Sequence, residues 1–341
     1  MEKNTLFGLL PEEIADIIKK LEARSFTAKQ LAEWMYAKRV FSYDEMSNLP
    51  KQLRENLKTD FPVILHPYSN VQVSKDGTKK YLFEFDGGRV VETAVIPDDD
   101  RLTVCVSSQA GCRYGCRFCA TGAIGFHGNL TAGEILNQLM AIDEYDKITN
   151  IVYMGMGEPL DNWEEVYKSL EILTSEKGFG LSAGRITVST IGIKAHFKEL
   201  IDRTRVNIAV SLHSPFPEER LHIMPAQISN PVIDVLDMIV EADLPKHRKL
   251  SFEYILFRGI NMSRSHALKL ADIAMRCHAH INLIAYNAVP GLPFEAPAQK
   301  DVLAFQNELL KRGASATLRR SRGLDIAAAC GTLAGNKLEE S

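Results

Sequence analysis

From residue 100 onward the chain alternates between two hydrophobic patterns. Short β-branched runs occur at 102–107 (LTVCVS), 150–155 (NIVYMG), 185–190 (RITVST), 206–213 (VNIAVSLH), 250–258 (LSFEYILFR) and 280–287 (HINLIAYN). A stretch with helical spacing follows each, near 131–145, 163–175, 194–203, 232–243, 263–277 and 299–313. Strands separated by helices pair in parallel, because a parallel neighbour needs a crossover connection. Some helix ends are marked. Thr131 with Glu134 makes a capping box, Asn230-Pro231 reads as an N-cap and first-turn proline, and Gly313 closes the last helix. Six such units in series predict an α/β fold, a partial (βα)6 barrel; an open doubly wound sheet gives the same periodicity.

Ahead of this the pattern differs. Residues 1–70 read as a small helical accessory domain, with helices at 11–21 (Pro11 in its first turn), 27–38 and near 50–58, before the Pro62 break. Residues 71–100 form a β extension: 71–95 alternates in strand fashion around turns at Asp76-Gly77 and Gly87-Gly88. The barrel spans 101–322 and a tail 323–341.

The chain has 341 residues, 45% of them apolar and 24% charged, as expected of a globular enzyme and not of a disordered or fibrous chain. Its net charge of −3 excludes a general coat of positive charge, though not a local footprint for nucleic acid. No run is long enough to span a membrane and the N-terminus has no signal-peptide pattern, so a cytoplasmic, membrane-free protein is expected. In that reducing compartment the 6 cysteines are not a disulfide framework, and three of them cluster in SQAGCRYGCRFCATG.

The cluster is Cys112-x3-Cys116-x2-Cys119, with Gly111, Gly115 and Gly122 allowing the backbone to wrap. A structural zinc site would take His127 as its fourth ligand. A four-iron cluster held by three cysteines keeps one iron open for an outside ligand. The placement favours chemistry: active sites of βα folds collect at the C-terminal ends of strands. There the runs deliver the cysteines, Gly155-Met156-Gly157-Glu158, Ser189, His213, Arg258 and Asn287 to one rim.

CRYGCRFC resembles the signature of the radical S-adenosylmethionine (SAM) superfamily. SSQAGC, CATG, YMGMGEPL, RITVSTIG, VSLHSP, INLIAYNAVPG and SRGLDIAAACGTLAG are together similar to the bacterial dual-specificity RNA methyltransferases, from about residue 25 to 336. That resemblance implies a [4Fe-4S] cluster on Cys112, Cys116 and Cys119, two SAM molecules per turnover, and methylation of adenine C2 in 23S ribosomal RNA and tRNA. It also implies an electron donor such as flavodoxin or ferredoxin, and we expect a monomer. C2 of adenine is an electron-poor carbon, open to a radical and not to direct methyl transfer. In the family, one SAM methylates a cysteine, the other yields a radical that activates the S-methyl group, and the carbon adds to C2 as a covalent protein–RNA adduct. A relative that methylates C8 of the same adenine shares most motifs; Pro159 resembles the C2 enzymes, where the C8 enzymes typically carry Ala. The alternative from another class is a zinc-containing RNA-binding protein.

Matched residue by residue, the resemblance makes Cys330 the methyl-accepting cysteine. Cys105 becomes the thiol that resolves the adduct through a transient disulfide with Cys330, and Glu92 the proton acceptor. Gly157, Glu158, Ser189, Ser211, Leu212, His213 and Asn287 become SAM contacts. Both thiols are expected to face the rim. The chain departs from the family at His222-Ile223-Met224-Pro225, where Arg is common before Met-Pro, and at Ala285-Tyr286. Cys277, His127, His196, His222 and His266 match no motif and read as packing or surface residues. Basic clusters at Lys79-Lys80, Lys246-His247-Arg248-Lys249 and Arg319-Arg320-Ser321-Arg322 are candidates for tracking phosphates, the last favoured because it adjoins Cys330.

Overall fold

The computed structural model describes residues 5–62, 65–245 and 247–335. Its N-terminal part is α1 (Pro11–Lys20), α2 (Phe26–Ala32) and α3 (Lys51–Asp60). Pro11 opens α1, where its missing N–H costs nothing. After α2 the turn Glu33–Ala37 widens into a π-helix. It places Tyr36, whose buried hydroxyl accepts from the Gly8 N–H and donates to the Leu9 carbonyl, both at 2.9 Å.

Three strands follow: β1 (Tyr68–Val73), β2 (Lys79–Phe85) and β3 (Arg89–Asp98). They are antiparallel, and β3 pairs antiparallel with β4 (Arg101–Cys105), so the extension continues the barrel sheet. Next come β5 (Gln109–Gly111), α4 (Ala120–Ala123) and β6 (Phe126–Asn129), a small sheet with a helical turn that frames the cysteine loop.

The parallel part continues with α5 (Ala132–Met140), β7 (Asn150–Tyr153), α6 (Trp163–Thr174), β8 (Ile186–Thr190), α7 (Lys194–Arg203) and β9 (Asn207–Ser211). Then follow α8 (Pro217–Ile223), α9 (Val232–Ala242), β10 (Leu250–Leu256), α10 (Arg264–Arg276), β11 (His280–Ala285), α11 (Gln299–Lys311) and β12 (Ala316–Arg319). The 10-stranded sheet runs β1-β2-β3-β4-β7-β8-β9-β10-β11-β12, parallel from β4 onward. Strands and helices alternate as the periodicity predicts, and the chain is a partial α/β barrel whose sheet is extended by the antiparallel strands β1–β3. β12 and α8 are additional to that prediction, each too short to declare a period.

Two helix signals can be compared directly. The Thr131–Glu134 capping box forms, with Thr131 accepting from the Glu134 N–H and Glu134 from the Thr131 N–H. Asn230 does not cap α9: Pro231 stands at that position, and the Asn230 side chain instead accepts from the Lys194 N–H at 3.2 Å. The helical part docks on α5 at very short range. A Cβ on Gly8 would lie 2.2 Å from the Gly133 nitrogen, so neither glycine accepts a side chain there. Asn137 adds two bonds to the backbone of His66, at 2.8 and 2.9 Å.

Candidate active site

At the C-terminal ends of the parallel strands lies a cavity of about 1010 Å³, its open mouth included. Its wall holds Cys112, Cys116, Cys119, Gly157, Glu158, Ser189, Ser211, His213 and Cys330. The sequence spreads these residues over most of the chain, and the strand order brings them together.

The cysteine loop wraps because glycines permit it. A Cβ on Gly122 would meet the Cys116 carbonyl oxygen at 2.9 Å, and one on Gly111 the Gly125 oxygen at 1.8 Å. All three thiols are desolvated by the surrounding protein. Burial pushes Cys112 up to about 12 and raises Cys116 and Cys119 as well. Thiolates in such a place need a metal charge to balance them. Three soft donors on one cavity wall fit a four-iron cluster with one iron left open to the cavity. His127, the fourth ligand of a zinc reading, is not in the cavity wall; its Nε2 lies 3.0 Å from the Ile124 carbonyl oxygen.

Glu158 is only 3% exposed. Its carboxylate accepts from Thr190 Oγ1 at 2.6 Å, the Ile191 N–H at 2.9 Å and the Leu160 N–H at 3.0 Å. Burial outweighs these bonds and lifts its pKa to about 7, so a cationic partner would restore full ionisation. Gly157, with φ +95°, packs onto Gln109; a Cβ there would meet the Gln109 Cβ at 2.5 Å.

His213 is buried in a left-handed conformation with φ 54°. Its Nδ1 accepts from the Ile255 N–H at 3.1 Å. Burial, then the neighbouring Arg220 charge, push its pKa down to about 3, so the ring is neutral and carries its proton on Nε2. Leu212 is fully buried and contributes through its backbone, its N–H donating to the Glu253 carbonyl.

Cys330 is exposed to solvent through the cavity, whose enclosing walls still raise its thiol pKa. Its carbonyl accepts from Asn287 Nδ2 at 3.3 Å, and Asn287 Oδ1 accepts from Ser321 at 2.8 Å. Asn287 thus supports the tail and is not in the cavity wall. Cys105 also differs from expectation. It is 7% exposed, outside the cavity wall and in a small apolar cluster with Ala94 and Ala328; burial, then the neighbouring Cys330 thiol, push its pKa up, and both are free thiols. A cysteine at the end of an inward-alternating strand is buried by whatever crosses that end, here the tail. Glu92 is 2% exposed, outside the cavity wall, and its Oε2 accepts from the Ala334 N–H at 2.7 Å.

Three rim and charge readings are corrected. Arg258 lies past the end of β10, outside this cavity, and pairs with Glu295 at 3.1 Å. Lys80 is buried against Glu92. Arg248 is 5% exposed and donates to the carbonyls of Leu200, Ile201 and Val206, so two of the three basic clusters lose a member to structure. Lys246 lies outside the described residues. Arg319 lines the cavity, and Arg319 and Arg320 remain exposed. Cys277 and His266 are buried, the latter 2.6 Å from Glu219, as packing residues would be.

Sequence reasoning missed two residues. Arg220 is fully buried, and its guanidinium bonds the carbonyls of Ile191, Ser211 and Leu212 and the Gln227 side chain. Burial lowers its pKa to about 10, which keeps it charged near Cys116. The loop's arginine therefore stands one turn before Met224, where an Arg placed directly before Met-Pro was sought. Glu253 is 5% exposed in the cavity wall, with Oε1 accepting from Asn282 at 2.7 Å and Ser251 at 2.9 Å. A carboxylate inside the apolar run SFEYILF was its available signal, because parallel strands buried on both faces rarely carry one.

Comparison with known proteins agrees with this geometry. Residues 106–271 match the radical SAM superfamily model, and residues 4–63 match the ribosomal RNA large subunit methyltransferase N-terminal domain. The probable dual-specificity RNA methyltransferase RlmN of Bacteroides fragilis is 43% identical over 341 residues, covering 100% of this chain and 99% of that protein. Its Porphyromonas gingivalis counterpart is 45% identical over 340 residues, covering 100% and 96%. A crystal structure of a radical SAM methyltransferase from Sphaerobacter thermophilus superposes with a TM-score of 0.90 at 37% identity, covering 98% of this chain and 100% of that one. With identities of this size over the whole length, the chain belongs to the dual-specificity RNA methyltransferase family of radical SAM enzymes.

Proposed function

We propose that the chain methylates C2 of an adenosine in 23S ribosomal RNA, at the peptidyl transferase centre, and of adenosine 37 in the tRNA anticodon loop, with Cys330 as the methyl carrier. The observation that supports this most is the position of Cys330: an exposed thiol on the same cavity wall as Cys112, Cys116, Cys119 and Glu158. The printed name of the relatives, dual-specificity RNA methyltransferase, supports an RNA substrate.

Bound in this cavity, the iron–sulfur cluster and SAM supply the methyl group and the one-electron chemistry that activates it. The protein does the rest. Cys112, Cys116 and Cys119 hold the cluster, Glu158 takes the SAM ammonium, and neutral His213 with Ser189 and Ser211 offers hydrogen bonds without adding charge. Gly157, Leu212 and Asn287 shape the site through backbone approach and support of the tail. Cys330 receives the methyl on sulfur and delivers its carbon to adenine C2. Glu92 accepts the C2 proton. Cys105 then attacks the Cys330 sulfur: the S–C bond breaks as the S–S bond forms, and the freed carbon takes up one proton to become the methyl of the RNA. The one surplus electron would return to the iron–sulfur cluster, leaving a Cys105–Cys330 disulfide. Both last steps require the tail to shift, since the Ala334 N–H occupies Glu92 and Ala328 packs into the cluster that buries Cys105.

Arg319 and Arg320 are the exposed cations best placed to meet RNA phosphates. C2 lies on the pairing edge of adenine, so the base enters unpaired. A low-potential protein such as flavodoxin or ferredoxin supplies electrons, and the enzyme works as a cytoplasmic monomer. Among the described residues no helix is long and apolar enough to cross a membrane. We divide the chain at 1–70, 71–100, 101–322 and 323–341.

With SAM bearing a trideuterated methyl, product 2-methyladenosine should retain two deuteriums, one having been lost while the carbon sat on Cys330. Retention of all three refutes the thioether route, and a label at C8 refutes the assigned position.

A further inference from the structure

The tail that carries Cys330 is fastened at two ends of different kind. Its far end is held largely through its own backbone: the Gly331 carbonyl accepts from the Ala120 N–H at 2.8 Å, the Leu333 carbonyl from Thr121 Oγ1 at 2.7 Å, and the Ala334 N–H donates to Glu92. The near end is clasped by the β1–β2 turn through two carboxylates. Asp76 Oδ2 accepts from the Gly323 N–H at 2.9 Å. Asp325 accepts from Ser74 Oγ at 2.5 Å and the Lys75 N–H at 3.1 Å.

From this clasp a continuous series of contacts runs to Cys105. The Gly323 carbonyl accepts from the Ala328 N–H at 2.9 Å. Gly323 is wedged so closely that a Cβ there would meet the Ala328 Cβ at 2.7 Å and Thr78 Cγ2 at 3.0 Å. Ala328 in turn shares with Ala94 and Cys105 the apolar cluster that buries the thiol. Between the two fastenings Ala327 adopts φ 49°, the left-handed region that a residue with a Cβ enters only when its surroundings hold it there. Surface carboxylate–amide bonds exchange readily with water, whereas the apolar cluster has no polar partner of its own to hold the strap.

We infer that Asp76 and Asp325 are positioning residues: their clasp on the β1–β2 turn keeps Ala328 over Cys105, and opening it uncovers that thiol. This rests on the roles proposed above for Cys105 and Cys330 only as regards its use in the reaction; the covering itself is independent of them. The clasp reconciles two demands. Cys105 must stay covered while Cys330 is loaded, so that the methyl group goes to the Cys330 sulfur alone, and it must become reachable once the adduct has formed.

The test measures access to Cys105 directly. In full-length, cluster-containing protein carrying Cys330→Ser, N-ethylmaleimide labelling of Cys105 is followed by peptide mass mapping, with Cys277, buried at 5% exposure elsewhere, as internal reference. Asp76→Ala and Asp325→Ala should each accelerate Cys105 labelling about tenfold, the population change that loss of one or two net hydrogen bonds produces. Asp325→Asn keeps an acceptor oxygen and should restore most of the slow labelling. Unchanged Cys105 labelling in both alanine variants overturns the clasp, as does an equal rise at Cys277, which would signal general loosening. If instead the deuterium experiment fails while labelling accelerates, the clasp stands and the carrier role of Cys330 falls.

Discussion

Lys80 Nζ lies 2.9 Å from Glu92 Oε1, a diagonal pair across β2 and β3, with side chains only 9% and 2% exposed. The other oxygen of the same carboxylate holds the Ala334 N–H. One buried pair therefore ties the β extension to the tail. Removing one partner strands the other charge, so Lys80→Met should cost about 3 kcal/mol in denaturant unfolding. Adding Glu92→Leu should recover much of that loss while abolishing activity, a non-additivity that a double-mutant cycle reads directly.

Arg220 saturates carbonyl oxygens of three residues from two strand ends. Arg220→Met leaves these acceptors buried and unpaired. We expect a loss of about 3–5 kcal/mol, by chemical denaturation, and slower cluster reconstitution because a positive charge near Cys116 is gone.

A pH dependence follows from Glu158. Its folded pKa of about 7 lies above the usual 4.5, so the group stabilises the fold fully only below pH 4.5, and that stability is lost as pH rises toward 7. SAM binding has the opposite sign, since an ammonium favours the carboxylate. Affinity for SAM should be about tenfold weaker at pH 6 than at pH 8, with proton release on binding, as measured by calorimetry in buffers of different ionisation enthalpy. Glu158→Gln should flatten this profile.

Cys112→Ala, Cys116→Ala and Cys119→Ala should each yield colourless protein after anaerobic reconstitution, with iron analysis as the measure. A variant that keeps a full iron complement removes its residue from the ligand set.

Cys105→Ala should stall with RNA attached through Cys330, visible as a shifted band on a denaturing gel. Cys330→Ala should keep iron and SAM binding yet attach and methylate nothing. Normal methylation by the Cys105 variant, with no shifted band, contradicts its resolving role.

What the sequence made legible was whatever repeats or clusters. Strand–helix alternation carries the barrel, and the spacing of Cys112, Cys116 and Cys119 points to the proposed cluster site, where the structure brings the three thiols to one cavity wall. Helix caps were readable where side chain and backbone are local, as at Thr131, and misread at Asn230, whose side chain is claimed by Lys194 from another element. Charge proved the least legible property. Lys80 and Arg248 look like solvent-facing cations in one dimension, and only tertiary partners show them buried. Cys105 could not be placed because what buries it, Ala328, is remote in sequence.

The order of the chain along the cavity has a consequence for how the enzyme is made. A ribosome releases the N-terminal part first, so the cysteine loop and the strands around it emerge well before β12 and the tail. Until residues 316–335 arrive, the wall that Arg319, Cys330, Gly331 and Leu333 complete is missing and the three cysteines face an open cleft. Cys330 is thus the last of these cysteines to leave the ribosome, and the side of the cavity it lines is the last to be built.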